Sequence, residues 1–206
     1  MAEAQRAASA RLLVIAAALA GTAILAAGVF VWLALSGTPR GVAGSLLGGE
    51  IGGPFRLTDQ DGRTVTDRDL RGKWLLVYFG YTHCPDACPT ALNDIALALE
   101  DLGAKAKEIR PVFITVDPER DTPAVLKSYV ASFDAPFVAL TGSAAAVAHA
   151  AKGYRVYYAK HALPGGDYEM DHSSVIYVMD PQGRFTASFT HESNPKDIAA
   201  RLLKLL

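Results

Sequence analysis

The run Trp74-Leu75-Leu76-Val77-Tyr78-Phe79-Gly80-Tyr81-Thr82-His83-Cys84-Pro85-Asp86-Ala87-Cys88-Pro89 changes character half-way. Its first part is continuously apolar, as a strand buried on both faces must be. Its second part holds both cysteines of a 206-residue chain. Pro89 locates the next element. Well inside a helix a proline loses a hydrogen bond and clashes with the preceding turn, whereas near the first helical position it costs little. A helix is therefore predicted to begin near Cys88. Cys84 then sits on the turn before it, with Pro85-Asp86 at the turn's centre.

The pattern extends in both directions from this run. Leu92, Ile95, Ala96, Leu99 and Leu102 recur at helical spacing, and Gly103 is a natural stop. Residues 111–116 read as the next strand. Asp121-Thr122 caps a helix whose first residue is Pro123, with Leu126, Tyr129, Val130 and Phe133 as its apolar stripe. A short strand is expected at 137–140, and an alanine-rich helix from Ser143 to Gly153. Residues 154–168 read as an inserted, partly extended excursion. A strand at 174–179 then meets the turn Asp180-Pro181-Gln182-Gly183 and a partner strand carrying Phe185, Ala187 and Phe189. Asn194-Pro195 opens a last helix with Ile198, Leu202, Leu205 and Leu206 on one side. Upstream, Phe55 and Leu57 alternate with polar neighbours before Asp61-Gly62, a small hairpin. Strands alternating with helices predict a mixed α/β sheet covered on both faces. Sites in such sheets lie beyond the carboxyl ends of the parallel strands, where Cys84 and Asp117 both fall.

The globular pattern begins at residue 54. Residues 36–53 are glycine-rich and small, and read as a linker. Before them, residues 12–35 carry no charge. About 24 residues at ~1.5 Å each span ~36 Å, enough to cross a ~30 Å hydrocarbon core. A cleaved signal peptide is the rival, and Ala34-Leu35-Ser36-Gly37 imitates a cleavage site, but the apolar run exceeds the usual ~7–15 residues. A retained anchor is expected. Arg6 and Arg11 precede it and only Arg40 follows closely, so the head at 1–11 stays cytoplasmic and the rest is exported. The short head containing Glu3 is unlike an organelle transit peptide. The expected setting is a bacterial inner membrane with a periplasmic domain. A net charge of −1 makes no electrostatic case for a nucleic-acid partner.

An exported domain allows disulfides, but one close cysteine pair is not a stapled framework. Closing so short a loop constrains the unfolded chain little. A thiol at a helix N-terminus has its pKa lowered, and the thiolate is both nucleophile and metal ligand. Two inert structural cysteines are the bland alternative, and an exposed loop containing Pro and Asp is a poor place for them. Five histidines compete as a further ligand. His83 must point elsewhere if it continues the strand, His149 suits a helix C-terminus, and His161 and His191 read as solvated. His172, in Met170-Asp171-His172-Ser173-Ser174, is placed at the start of a central strand, where Asp171 or a nearby carbonyl could orient its ring. From spacing alone a core histidine and a ligand both remain open. The block 117–121 reads first as a strand exit and helix cap, with a role in electrostatic tuning or docking also open.

Three blocks resemble the Sco/SenC family: residues 78–89, Thr115-Val116-Asp117-Pro118-Glu119-Arg120-Asp121-Thr122-Pro123, and Asp171-His172-Ser173 followed by Tyr177 and Asp180-Pro181-Gln182-Gly183. Together they span roughly residues 54–206, in order. The resemblance implies a thioredoxin-like fold on a membrane anchor. It implies copper held by Cys84, Cys88 and His172, and a role in assembling the dinuclear copper centre of cytochrome c oxidase. Thioredoxins proper carry a two-residue spacer and a cis-proline where this chain has three residues and a histidine. Two thiolates and an imidazole independently suit Cu(I), and Cu(II) could share the site with water. Zinc would need a fourth ligand, such as Asp86 or Asp117.

The expected function is thus a metallochaperone rather than an enzyme. Its partner would be the oxidase subunit bearing the copper site, with another copper donor or a thiol reductant also conceivable. The alternative is a thiol–disulfide reductase that uses Cys84 and Cys88 as a redox pair and does not need His172. Redox or copper sensing through a partner is a third reading.

Overall fold

The structure, a computed structural model, describes residues 50–190 and 193–206. The expected head and anchor, most of the linker, and His191 lie outside these residues. No helix among the described residues is long and apolar enough to cross a membrane.

The architecture is an α/β sheet of seven strands with helices packed against it. The hairpin β1 (Arg56–Asp59) and β2 (Thr64–Thr66) comes first, followed by β3 (Trp74–Gly80) and α1 (Ala87–Leu102). Then come β4 (Ile109–Thr115), α2 (Pro123–Val130), β5 (Val138–Thr141) and α3 (Ala144–Gly153). A second hairpin, β6 (Tyr158–Ala162) and β7 (Tyr168–His172), precedes β8 (Val175–Met179), β9 (Phe185–Thr190) and α4 (Pro195–Leu203). The sheet order is β2-β1-β5-β4-β3-β8-β9. β3, β4 and β5 are parallel, and β1, β8 and β9 join antiparallel.

The apolar run at 74–79 lies at one end of the parallel set, between β4 and the antiparallel β8, and Leu76, Val77, Tyr78 and Phe79 are all buried. Its two faces are covered by helices, which is why it never alternates with polar residues. α1 buries Leu92, Ile95, Ala96, Leu99 and Leu102, the stripe read in the sequence, and Ala98 beside them. It ends at Gly103, whose φ of 54° is in the region glycine adopts most easily. The caps also follow their sequence signals. Thr122 Oγ1 accepts from Val125 N–H, Ser143 Oγ from Ala146 N–H, and Asn194 Oδ1 from Asp197 N–H.

Several boundaries differ from the sequence reading. The compact unit begins at Glu50, not residue 54. Ile51 packs on the core and Gly52 N–H donates to the Gly153 carbonyl at 2.9 Å, so residues 51–53 are docked rather than linking. β4 starts at Ile109, because parallel pairing with Trp74 extends it past Pro111. α2 stops at Val130, before Phe133, which still packs on the core. Residues 154–168 are not simply an excursion: their later part pairs with 168–172 as a two-stranded sheet of its own. His172 accordingly ends β7, opposite Tyr158, instead of starting the central strand. Ser173-Ser174 separates it from β8.

Candidate metal centre

α1 begins at Ala87, so Cys84 occupies the turn before it and Cys88 its first turn. Cys84 N–H donates to the Tyr81 carbonyl at 3.3 Å, closing the turn out of β3. Cys88 N–H, one of the helix's unpaired N-terminal donors, points at Cys84 Sγ at 3.4 Å. Cys84 is half-buried, whereas Cys88 is fully buried against the strand. Gly80 makes that burial possible, since a Cβ there would lie 2.7 Å from Cys88 Sγ.

His172 arrives from the end of β7. Its Nε2 is 3.3 Å from Cys88 Sγ. Its Nδ1 is 3.3 Å from the Ser173 carbonyl. A carbonyl only accepts, so Nδ1 carries the proton and Nε2 turns a lone pair toward the sulfurs. The orienting group is this carbonyl and not Asp171, which pairs across the hairpin with His161 at 2.9 Å. Tyr78 and Tyr81 hold the imidazole edge-to-face, with centroids 6.0 and 5.8 Å away.

The two thiols are strongly inequivalent. A hydrogen bond from Cys88 holds the Cys84 thiol far below its ordinary value of 9.0, and the Cys88 and Asp86 N–H groups act the same way against the cost of burial. Donating to Cys84, together with burial and the neighbouring negative charge, drives Cys88 upward. The metal-free dithiol is thus poised as one thiolate and one thiol, and a cation replacing the shared proton would be held by both sulfurs.

Cys84, Cys88 and His172 bring one ligand atom each to within 4.8 Å of one another. The other histidines among the described residues do not join them. His83 Nδ1 contacts Thr82 Oγ1, and His149 Nε2 donates to the Pro54 carbonyl at 3.1 Å. Neither acid named as a fourth ligand belongs to the cluster: Asp86 accepts weakly from Thr90, and Asp117 is engaged by Arg120 and Tyr168.

The block 117–121 does more than cap a helix. Thr122 is the cap, which frees Asp121 for another task. The fully buried Asp121 carboxylate accepts from Thr82 N–H (3.1 Å), Thr82 Oγ1 (2.6 Å) and Thr115 Oγ1 (2.6 Å). It pins the cysteine turn to the end of β4. Sequence reasoning missed this link. The available signal was an acid next to a residue already able to cap.

The SCO1/SenC family profile matches residues 44–206. Protein SCO1 homolog 1, mitochondrial, of Arabidopsis thaliana is 46% identical over 136 residues, which is 66% of this chain and 41% of that protein. The chain therefore matches less than half the length of that relative. The solved structure of Bradyrhizobium japonicum ScoI with copper bound shares 49% identity at a TM-score of 0.71, over 76% of this chain and 99% of that one. BsSco, described as a member of the Sco family of cytochrome c oxidase assembly proteins with a disulfide switch, shares 28% identity at a TM-score of 0.60, over 77% of this chain and 94% of that one. The seven-stranded sheet with its helices is thus of the thioredoxin-like type the resemblance implies.

Proposed function

Since the chain belongs to the SCO1/SenC family, we propose that it binds copper through Cys84, Cys88 and His172 and serves assembly of the copper centre of cytochrome c oxidase. The observation that carries this reading is the convergence of two sulfurs and an imidazole nitrogen within 4.8 Å. Such a soft, low-coordinate set suits Cu(I). Structural zinc normally takes four ligands, and no fourth histidine, cysteine or acid joins this cluster among the described residues. The copper-bound relative from Bradyrhizobium japonicum supports the same assignment.

Copper is the cargo in this reading. Cys84 is the accessible sulfur and Cys88 the buried one, so a partner's thiolate meets the ion on the Cys84 side. Stepwise exchange of sulfur ligands then passes it on. The partner is the oxidase subunit bearing the copper site, and a further copper donor or thiol reductant reloads the chaperone. Residues 12–35 anchor the chain in a bacterial inner membrane with residues 36–206 in the periplasm, which confines the search for the partner to the membrane surface. Oxidation to a Cys84–Cys88 disulfide removes two ligands and gates loading.

A second reading, reduction of the oxidase cysteines, draws on the depressed Cys84 thiol and on BsSco's described disulfide switch. The two are separated by anaerobic Cu(I) titration of the reduced chain against a chelator, for wild type, Cys84→Ser, Cys88→Ser and His172→Ala. The copper reading expects each variant to lose affinity by more than the roughly 10–100-fold seen when a ligand's supporting partner is removed. If His172→Ala binds copper as tightly as wild type and still supports oxidase assembly, the function is dithiol exchange.

A further inference from the structure

His172 reaches the thiols from a hairpin whose strand ladder is internal. β6 pairs with β7 and neither joins the seven-stranded sheet. No ladder therefore sets the position of His172 relative to Cys88, and side chains must do it. We infer that Arg120, together with Asp117 and Tyr168, is a positioning cluster that holds the hairpin so that His172 meets the two cysteines. The metal arm of this inference rests on the copper reading above.

The geometry forms a closed ring. Arg120 Nε donates to Asp117 Oδ2 at 2.5 Å. Arg120 Nη1 donates to the Tyr168 carbonyl at 3.0 Å and to Asp167 Oδ1 at 3.3 Å. The guanidinium lies 3.7 Å from the centre of the Tyr168 ring. Tyr168 Oη donates back to Asp117 Oδ1 at 2.8 Å. Asp117 itself is fixed to the end of β4, its N–H donating to Thr115 Oγ1 at 2.9 Å. The loop after one central strand thus grips the start of β7.

Side chains two apart in a strand share a face, so Tyr168, Met170 and His172 point the same way. Tyr168 is held by Arg120 and Asp117, and Met170 is buried. With these two fixed, the direction of His172 is set. A shorter path acts in parallel: the Arg120 guanidinium is 5.8 Å from the Tyr81 ring centre, and Tyr81 meets the His172 ring edge-to-face.

Stability alone is a weak reason for this arrangement. The Arg120 side chain is 17% exposed, its Nη2 is buried without an acceptor among the described residues, and Asp117 is 3% exposed. Buried ion pairs seldom repay their desolvation, and specifying one geometry is their better-attested use. Lysine could satisfy Asp117 but could not also stack flat on Tyr168 while donating to its carbonyl.

The test uses the full chain in detergent micelles, as wild type, Arg120→Gln and Arg120→Lys. In the reduced, metal-free protein, nuclear Overhauser contacts between the His172 and Tyr81 rings report the hairpin's position. They are expected to weaken several-fold in Arg120→Gln while contacts between α1 and β3 persist, with Arg120→Lys intermediate. Cu(I) affinity, measured by chelator competition, is expected to fall about tenfold. The same substitution in a His172→Ala background is expected to change it less than twofold, because the ligand Arg120 positions is already gone. Unchanged ring contacts in both variants overturn the inference. So does an equal copper loss with and without His172, which would place the effect at the thiols. If Arg120→Gln does not fold, Arg120→Lys keeps a cation beside Asp117 and carries the comparison. If the wild type takes up no copper, the copper reading falls and the ring contacts alone decide the role of Arg120.

Discussion

Replacing Gly80 with alanine would place a Cβ 2.7 Å from Cys88 Sγ, 3.0 Å from Tyr78 Cε1 and 3.1 Å from Phe113 Cε2. Relaxed contacts between such atoms lie at ~3.5–4.0 Å, so the sulfur would have to retreat by about 1 Å. None of the three neighbours can turn out into solvent, since Cys88 and Phe113 are 0% exposed and Tyr78 is 1%. Overpacking of this kind costs ~1–3 kcal/mol. For a domain of this size ~2 kcal/mol lowers Tm by roughly 4–8 °C. Copper affinity should fall as well, because the displaced atom is a proposed ligand and metal sites tolerate only ~0.5 Å of misplacement. The assay pairs thermal melts of the reduced apo chain with Cu(I) competition, for Gly80→Ala alone and combined with Cys88→Ala. Removing the sulfur relieves the tightest contact, so the double variant should be less destabilised than the sum of the singles. A Gly80→Ala protein that melts within a degree of wild type and binds copper equally well would refute this account of why Cys88 lies against β3.

Other expectations follow from the same geometry. Asp121→Ala strands three donors from Thr82 and Thr115, and should cost about 3 kcal/mol in urea unfolding; a loss below ~1 kcal/mol would mean the link between the cysteine turn and β4 carries little. Cys84 is depressed below 9.0 in the folded protein, so its stabilising contribution is complete above the unfolded thiol's pKa and is lost as pH falls through the lower folded value. Iodoacetamide should therefore alkylate the reduced chain at pH 6 nearly as fast as at pH 8, and Cys84→Ser should abolish this. A rate dropping about tenfold per pH unit below 8 would contradict the depressed thiol. Deleting residues 1–35 should move the protein from the membrane to the soluble fraction of a bacterial host and leave copper binding intact. Recovery of the full chain in the soluble fraction would remove the anchor from the proposal.

Much of the scaffold could be read from the linear order of residues because the deciding interactions are local. Pro89 bars a helix from running back through Cys84, Pro123 and Thr122 start α2, and Gly103 ends α1. The unbroken apolar character of 74–79, too short for a typical helix, matches a strand covered on both faces. Placing both cysteines at one end of a parallel strand follows from those signals. The resemblance to Sco/SenC motifs added His172, which spacing alone left undecided between core and ligand.

Other features depended on tertiary contacts that no local signal encodes. His172 lies on a separate hairpin, since the pairing of β6 with β7 is settled by cross-strand partners rather than by propensity. Asp121 serves the cysteine turn thirty-nine positions earlier, a link that exists only once β3 and β4 lie side by side. Arg120 looked like part of a helix cap, yet its fork closes on Tyr168, forty-eight positions away. The sequence by itself determined which atoms could hold a soft metal. The tertiary structure decided that they meet, because bringing an imidazole to sulfurs eighty-four and eighty-eight positions away depends on packing the hairpin against the loops after two parallel strands.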